Sequence, residues 1–115
     1  MAGLRDVVQG LAARADVDAV VVVSSDGLPI DSSGSLDAEA VAALAATFAN
    51  GAKRLGVAAE CAELSATVLE FGDRLAIVRP LGSEGHLFIL AAKATNIGPL
   101  LLDLRRQAPQ LATIL

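Results

Sequence analysis

The apolar positions of this chain fall into blocks of different period, and those periods predict its elements. The most legible block is Val17 to Ser33, reading VDAVVVVSSDGLPIDSS. Ala19 to Val23 is an unbroken apolar run, mostly β-branched, too short for an independent helix and bounded by turn residues. It predicts a strand buried on both faces. Ser24-Ser25-Asp26-Gly27 supplies a turn, because Asp tolerates a left-handed backbone and Gly adopts positive φ without steric cost. Leu28-Pro29-Ile30 then returns as a second strand. Pro29 has no N–H to give a ladder, which places this strand at a sheet edge.

Helical spacing dominates on either side. From Gly3 to Arg14, residues Leu4, Val7, Val8, Leu11 and then Ala15 repeat on one face, with Arg5, Asp6, Gln9 and Arg14 on the other. After the loop Ser33-Gly34-Ser35, either Ser35 or Asp37 can cap a long helix over roughly Asp37 to Ala59. Asp37 and Glu39 lie favourably near its positive end. Val41, Leu44, Phe48, Ala52, Leu55 and Ala59 form one stripe, read as core. A second row of small residues runs beside it: Ala38, Ala42, Ala45, Ala49 and Gly56. No charge occurs from Ala40 to Ala52. Small residues let two backbones approach closely, so the row is read as a contact with a second subunit. The other reading is that alanine, the best helix former, simply lies on the surface.

The period returns to two from Ala62 to Phe71, with Leu64, Ala66 and Val68 on one face and Ser65, Thr67, Leu69 and Phe71 on the other. Gly72-Asp73 turns the chain, Arg74 to Arg79 comes back as a strand, and Pro80 ends it. Gly82-Ser83-Glu84-Gly85 connects to a central strand over His86 to Lys93. Thr95 or Asn96 caps a last helix that tolerates Pro99 in its first turn. Ile97, Leu101, Leu104 and Ala108 form its inner stripe, and Pro109 is expected to stop it. The closing QLATIL either docks on a neighbour or frays. Strands joined by tight turns, with helices between the groups, indicate an antiparallel α+β sandwich.

With 115 residues, one domain over 1–115 is expected. A hydrophobic share of 54% against 19% charged excludes disorder and implies either an unusually complete core or apolar surface that meets a partner. No run reaches the length of a membrane span, and the N-terminus lacks the pattern of a signal peptide, so membrane insertion is not expected and the cytoplasm is the default location. The lone Cys61 agrees with a reducing compartment. A net charge of −4, scattered basic residues and aromatics limited to Phe argue against nucleic acid as a partner.

No catalytic, metal or cofactor constellation is legible. Cys61 is read as a small hydrophobe and His86, at a strand entrance, as a surface residue. Asp16, Asp18, Asp26 and Asp31 read as turn and strand-end residues rather than metal ligands. Gly82-Ser83-Glu84-Gly85 lacks the Gly-Lys-Ser/Thr ending of a phosphate loop and precedes a strand. Glu60, Glu63, Glu70 and Asp73 form either a solvated face or an acidic surface for a basic partner.

The phrases VDAVVVVSSDGLPI, ATVLEFGDRLAIVRPLG and LFILAAKATNIGPLLLDLRR, around the Ala-rich middle helix, resemble the roadblock / dynein light-chain domain family over nearly the whole chain. The DGLPI turn and the ATNIG start of the last helix are the most specific pieces. The length and Ala-rich composition are similar to bacterial MglB-like members, which partner a small Ras-like GTPase. The resemblance implies a five-stranded antiparallel sheet with the long helix on one face and the two terminal helices on the other. It also implies a homodimer joined through the middle helices and the third strands into a ten-stranded sheet. An interface of Ala38, Ala42, Ala45, Ala49, Ala66 and Val68 is expected, with Ala43, Thr47, Asn50 and Arg54 facing a GTPase. Such proteins carry no active site and need no cofactor. An MglB-like member would stimulate GTP hydrolysis by rearranging the GTPase's own groups, and nothing makes Arg54 an arginine finger. Two other roles stay open: a structural adaptor in a larger complex, and a small-molecule sensor. The bulk of Leu44, Phe48 and Leu55 between helix and sheet is expected to weigh against the sensor.

Overall fold

A computed structural model describes residues 3–115. Its elements follow the order α1 (Leu4–Ala12), β1 (Val17–Ser24), β2 (Pro29–Ser33), α2 (Ala38–Ala58), β3 (Thr67–Glu70), β4 (Arg74–Pro80), β5 (Gly85–Ala92) and α3 (Ile97–Ile114). The five strands make one antiparallel sheet in the order β2-β1-β5-β4-β3. This is the expected α+β architecture, and β2 with Pro29 is the expected edge.

The valine run of β1 is buried along its length and splits by parity between two layers. Val20 and Val22 join Ile77, Leu87 and Ile89 under α1 and α3, in a core completed by Val8, Leu11, Leu100, Leu104 and Leu111. Val21 and Val23 face α2, where they meet Ala42; Val78 meets Ala45 and Ala49, with Phe88 against both groups. The α1/α3 layer is thick and leucine-rich, whereas the α2 layer is thin and built from alanine on valine.

The β1–β2 turn is fixed locally. Ser24 N–H donates to Leu28 O at 2.8 Å, Leu28 N–H donates to Ser24 Oγ at 3.0 Å, and Gly27 takes φ +84°. Gly85, at the start of β5, lies so near β1 that a Cβ there would stand 2.0 Å from the Val23 carbonyl oxygen. Asp37 caps α2, its Oδ1 accepting from Ala40 N–H at 3.2 Å.

Three expectations shift. The strand expected from Ala62 is regular only over Thr67–Glu70, and residues 61–66 hold no regular structure. Pro109 does not stop α3, which runs on to Ile114 and buries Leu111. Proline removes a single helix N–H, and Pro109 lies on the exposed side of α3. His86 is the third surprise: expected at the surface, it is only 6% exposed.

Candidate functional site

The α2 face of the sheet carries the features a binding surface needs, with its residues placed differently from expectation. The two rows of α2 are exchanged. Ala42, Ala45 and Ala49, expected between subunits, are buried against the sheet of their own chain. Leu44, Phe48 and Leu55, expected as core, are 58%, 52% and 70% exposed. The cause is volume. A sheet surface of Val21, Val23 and Val78 is already filled by branched side chains, and a helix seated close upon it has room only for methyl groups. The small row does permit close approach, but the backbone approached is that of the sheet. The larger stripe is thereby turned outward along one flank of α2.

That flank lies toward β3. Leu55, Ala52 and Gly56 line a groove of about 1200 Å³ together with Ala66 and Thr67 at the start of β3 and Pro80 at the end of β4. The opposite flank lies toward the β1–β2 turn, where Gly27 sits against Ala43 and Ala46. Beyond the stripe, β3 is the outermost strand and among the described residues pairs only with β4, so one row of its N–H and C=O groups has no ladder partner there. Phe71, at the end of β3, is also exposed, as is Val68 at 42%. An edge strand flanked by large exposed apolar side chains is a composite sticky surface. Of the residues expected at a dimer contact, Val68 lies on this edge. Ala66 packs in part on the α1/α3 core, and Ala38 is half-buried at the start of α2.

Ala43, Thr47, Asn50 and Arg54 are all exposed and lie on one side of α2, away from the Leu44–Leu55 stripe. The Thr47 hydroxyl donates to the Ala43 carbonyl at 3.0 Å. Leu28 and Ile30, exposed on and beyond the adjoining turn, escaped sequence reasoning because a DGLPI turn looks purely structural.

The polar candidates disperse. Asp31 accepts from Arg5 at 2.9 Å, and Asp26 accepts from the Ser24 hydroxyl. Asp16 shares Arg14 with Asp103; the hydrogen bond from Arg14 holds the Asp16 carboxyl below its usual range. Asp18, Glu60, Glu63, Glu70 and Asp73 are exposed, as is Cys61 in the 61–66 segment. Gly82-Ser83-Glu84 forms the β4–β5 turn. Among the described residues, no three His, Cys, Asp or Glu side chains converge as metal ligands, and no helix is long and apolar enough to cross a membrane.

His86 sits between Val23 and Pro80 in the sheet, with neither ring nitrogen hydrogen-bonded among the described residues. Burial, then the charge of Lys53 on α2, pushes its pKa down. The ring is thus a neutral spacer under α2.

Comparison with known proteins follows from this geometry. No curated protein matches the sequence significantly. Among solved structures, a Roadblock/LC7 domain from Streptomyces avermitilis superposes with a TM-score of 0.87 at 24% identity, covering 97% of each chain. Myxococcus xanthus MglB superposes at 0.81 with 21% identity, covering 91% of this chain and 81% of its own. A structure described as MglB with tetrameric arrangement reaches 0.85 at 17% identity, covering 99% and 92%. These identities establish a shared fold. The family model of the Roadblock/LC7 domain matches residues 4–91, which include the sheet, α1 and all of α2, and the chain belongs to that family.

Proposed function

We propose that this protein is a non-catalytic homodimeric regulator that binds a small Ras-like GTPase. The observation that carries the reading is the α2 surface of a Roadblock/LC7 chain: an apolar flank and free β3 edge on one side, a polar stripe on the other. The apolar side is suited to a second copy, because pairing two β3 edges satisfies their open backbone groups and covers Leu44, Phe48 and Leu55 together. The MglB of similar fold with a tetrameric arrangement supports self-association as a habit of this fold. The dimer contact proposed is therefore Leu44, Phe48, Leu55, Val68 and Phe71, with Ala38 at its margin.

Two α2 helices brought side by side would expose two polar stripes of Ala43, Thr47, Asn50 and Arg54 across one surface. A GTPase is proposed to sit there, in its GTP-bound state, since that state orders the switch loops a regulator reads. Any stimulation of hydrolysis would act through the GTPase's own groups.

The test is titration of the dimer against the small GTPases of the source organism, each loaded with a non-hydrolysable GTP analogue or with GDP. Binding to the GTP form is expected. An intact dimer that binds none of them in either state rejects the reading and leaves the structural adaptor. The case against the sensor loses one argument and gains another: Leu44, Phe48 and Leu55 do not fill the helix–sheet space, but Ala42, Ala45 and Ala49 close it.

A further inference from the structure

Among the described residues, the arginines of α1 and of the turn after it are ion-paired, whereas Arg79 of β4 and Arg105 and Arg106 of α3 are not. Arg5 pairs with Asp31, and Arg14 with Asp16 and Asp103. Arg79 and Arg105 form no ion pair among the described residues, although they stand close enough for Arg105 to act on the Arg79 charge. Arg79 lies near the end of β4 opposite Leu87, a residue of the α1/α3 core, so it rises from that face of the sheet. Its Nε is buried and has no hydrogen-bond partner. The Arg79 guanidinium is thus half-buried with its Nε unpartnered, while Arg105 is exposed, and a cation held in this way without a carboxylate partner is costly. Burial first, then Arg105, pushes the Arg79 pKa down, the direction of an uncompensated cation.

The edge beside them supplies the missing charge once a second copy is present. The β3–β4 register sets Thr67 opposite Val78 and Val68 opposite Ile77. Carried one residue further, it sets Ala66 beside Arg79, and Ala66 does pack on the α1/α3 core. Glu70, two residues from Val68, shares this face, is exposed and forms no ion pair among the described residues. When identical edge strands pair antiparallel about a two-fold axis, each face stays on its own side, so opposed residues have the same parity. Centring the pair on Val68 buries that exposed side chain against its own copy and sets Glu70 of the second copy beside Ala66. It then lies two strand spacings, about 10 Å between backbones, from Arg79. Extended arginine and glutamate side chains together bridge that span.

We propose that Arg79 and Arg105 form a carboxylate-binding site whose occupant is Glu70 of a second copy, two such pairs fixing the register of the β3–β3 junction. The proposal rests on the dimer reading above and adds to it a register and a polar lock. An edge of one short strand specifies register poorly on apolar contacts alone, and paired charges exclude the slipped alternatives.

The test measures dimer dissociation by light scattering over a dilution series of the full chain, with circular dichroism confirming that each variant is folded. Glu70→Gln and Arg105→Gln are each expected to weaken the dimer about tenfold at low salt, and the double variant to be no weaker than either alone. Chains carrying Glu70→Arg and chains carrying Arg105→Glu should each dissociate readily and associate when mixed. Single variants with unchanged dissociation, or fully additive losses, overturn the lock while leaving the dimer standing. A parent chain that stays monomeric at all concentrations overturns both. If millimolar inorganic phosphate stabilises the parent but not Arg105→Gln, with dissociation unchanged, the arginines serve an outside anion and the Glu70 assignment fails.

Discussion

Ala42, Ala45 and Ala49 decide where α2 lies, because their methyl groups alone fit over Val21, Val23 and Val78. Enlarging one of them therefore acts on the fold before it acts on any assembly. Ala49→Leu is expected to cost about 1–3 kcal/mol of stability through overpacking, read from the urea midpoint. Phe48→Ala has the opposite signature. With its side chain half in water, the variant should keep the unfolding midpoint of the isolated chain and lose self-association; a loss of several kcal/mol at high dilution would place Phe48 in the core after all. His86 gives a pH dependence whose sign follows from its burial. Its folded-state pKa is lowered, so the unfolded chain binds the proton more readily. Stability is then greatest above the ordinary histidine range near pH 6.5 and falls as pH drops below it. His86→Phe should flatten that part of the profile. An unchanged slope in the variant would assign the loss to other groups.

At the level of elements, local pattern carried far. The valine strand, the DGLPI turn, the edge placement of Pro29, the capped long helix and the second hairpin all rest on neighbours within a few residues, and all are present. Misplaced features depended on tertiary competition. Two uncharged rows ran along α2, and only the shape of the sheet surface could choose between them. Pro109 marks a helix end by local rule, yet Leu111 gains enough from the α1/α3 core to carry α3 past it. Leu111→Ala should cost about 2–5 kcal/mol, whereas a frayed tail would show no effect on the denaturation midpoint. The alternation from Ala62 predicted a strand that is regular only from Thr67. The β4 ladder reaches only Thr67–Glu70, and a second strand on the open side of β3 would extend the pairing there. Slow amide exchange from Ala66 to Glu70 in concentrated protein, becoming fast on dilution, is the expected result. Exchange that is fast at every concentration would leave β3 a free edge.

For the whole molecule, the separation of faces organises the proposed activity. The apolar flank of α2 and the polar stripe of Ala43, Thr47, Asn50 and Arg54 lie on the same helix but point to different neighbours, so one can be altered without touching the other. A regulator that reads its partner through two copies needs both. Phe48→Glu places a charge in the proposed dimer contact, where pairing would bury it without compensation, and should yield a folded monomer. If the GTPase sits across two polar stripes, that monomer should bind the GTP-loaded partner at least about tenfold more weakly than the parent, despite an intact stripe. Arg54→Glu should weaken the same binding while leaving the dimer whole, since Arg54 lies outside the apolar flank. Calorimetric titration of both variants against the parent separates the cases. Equal affinity of monomer and dimer would show that each chain binds alone, and the composite surface would then have no part in recognition.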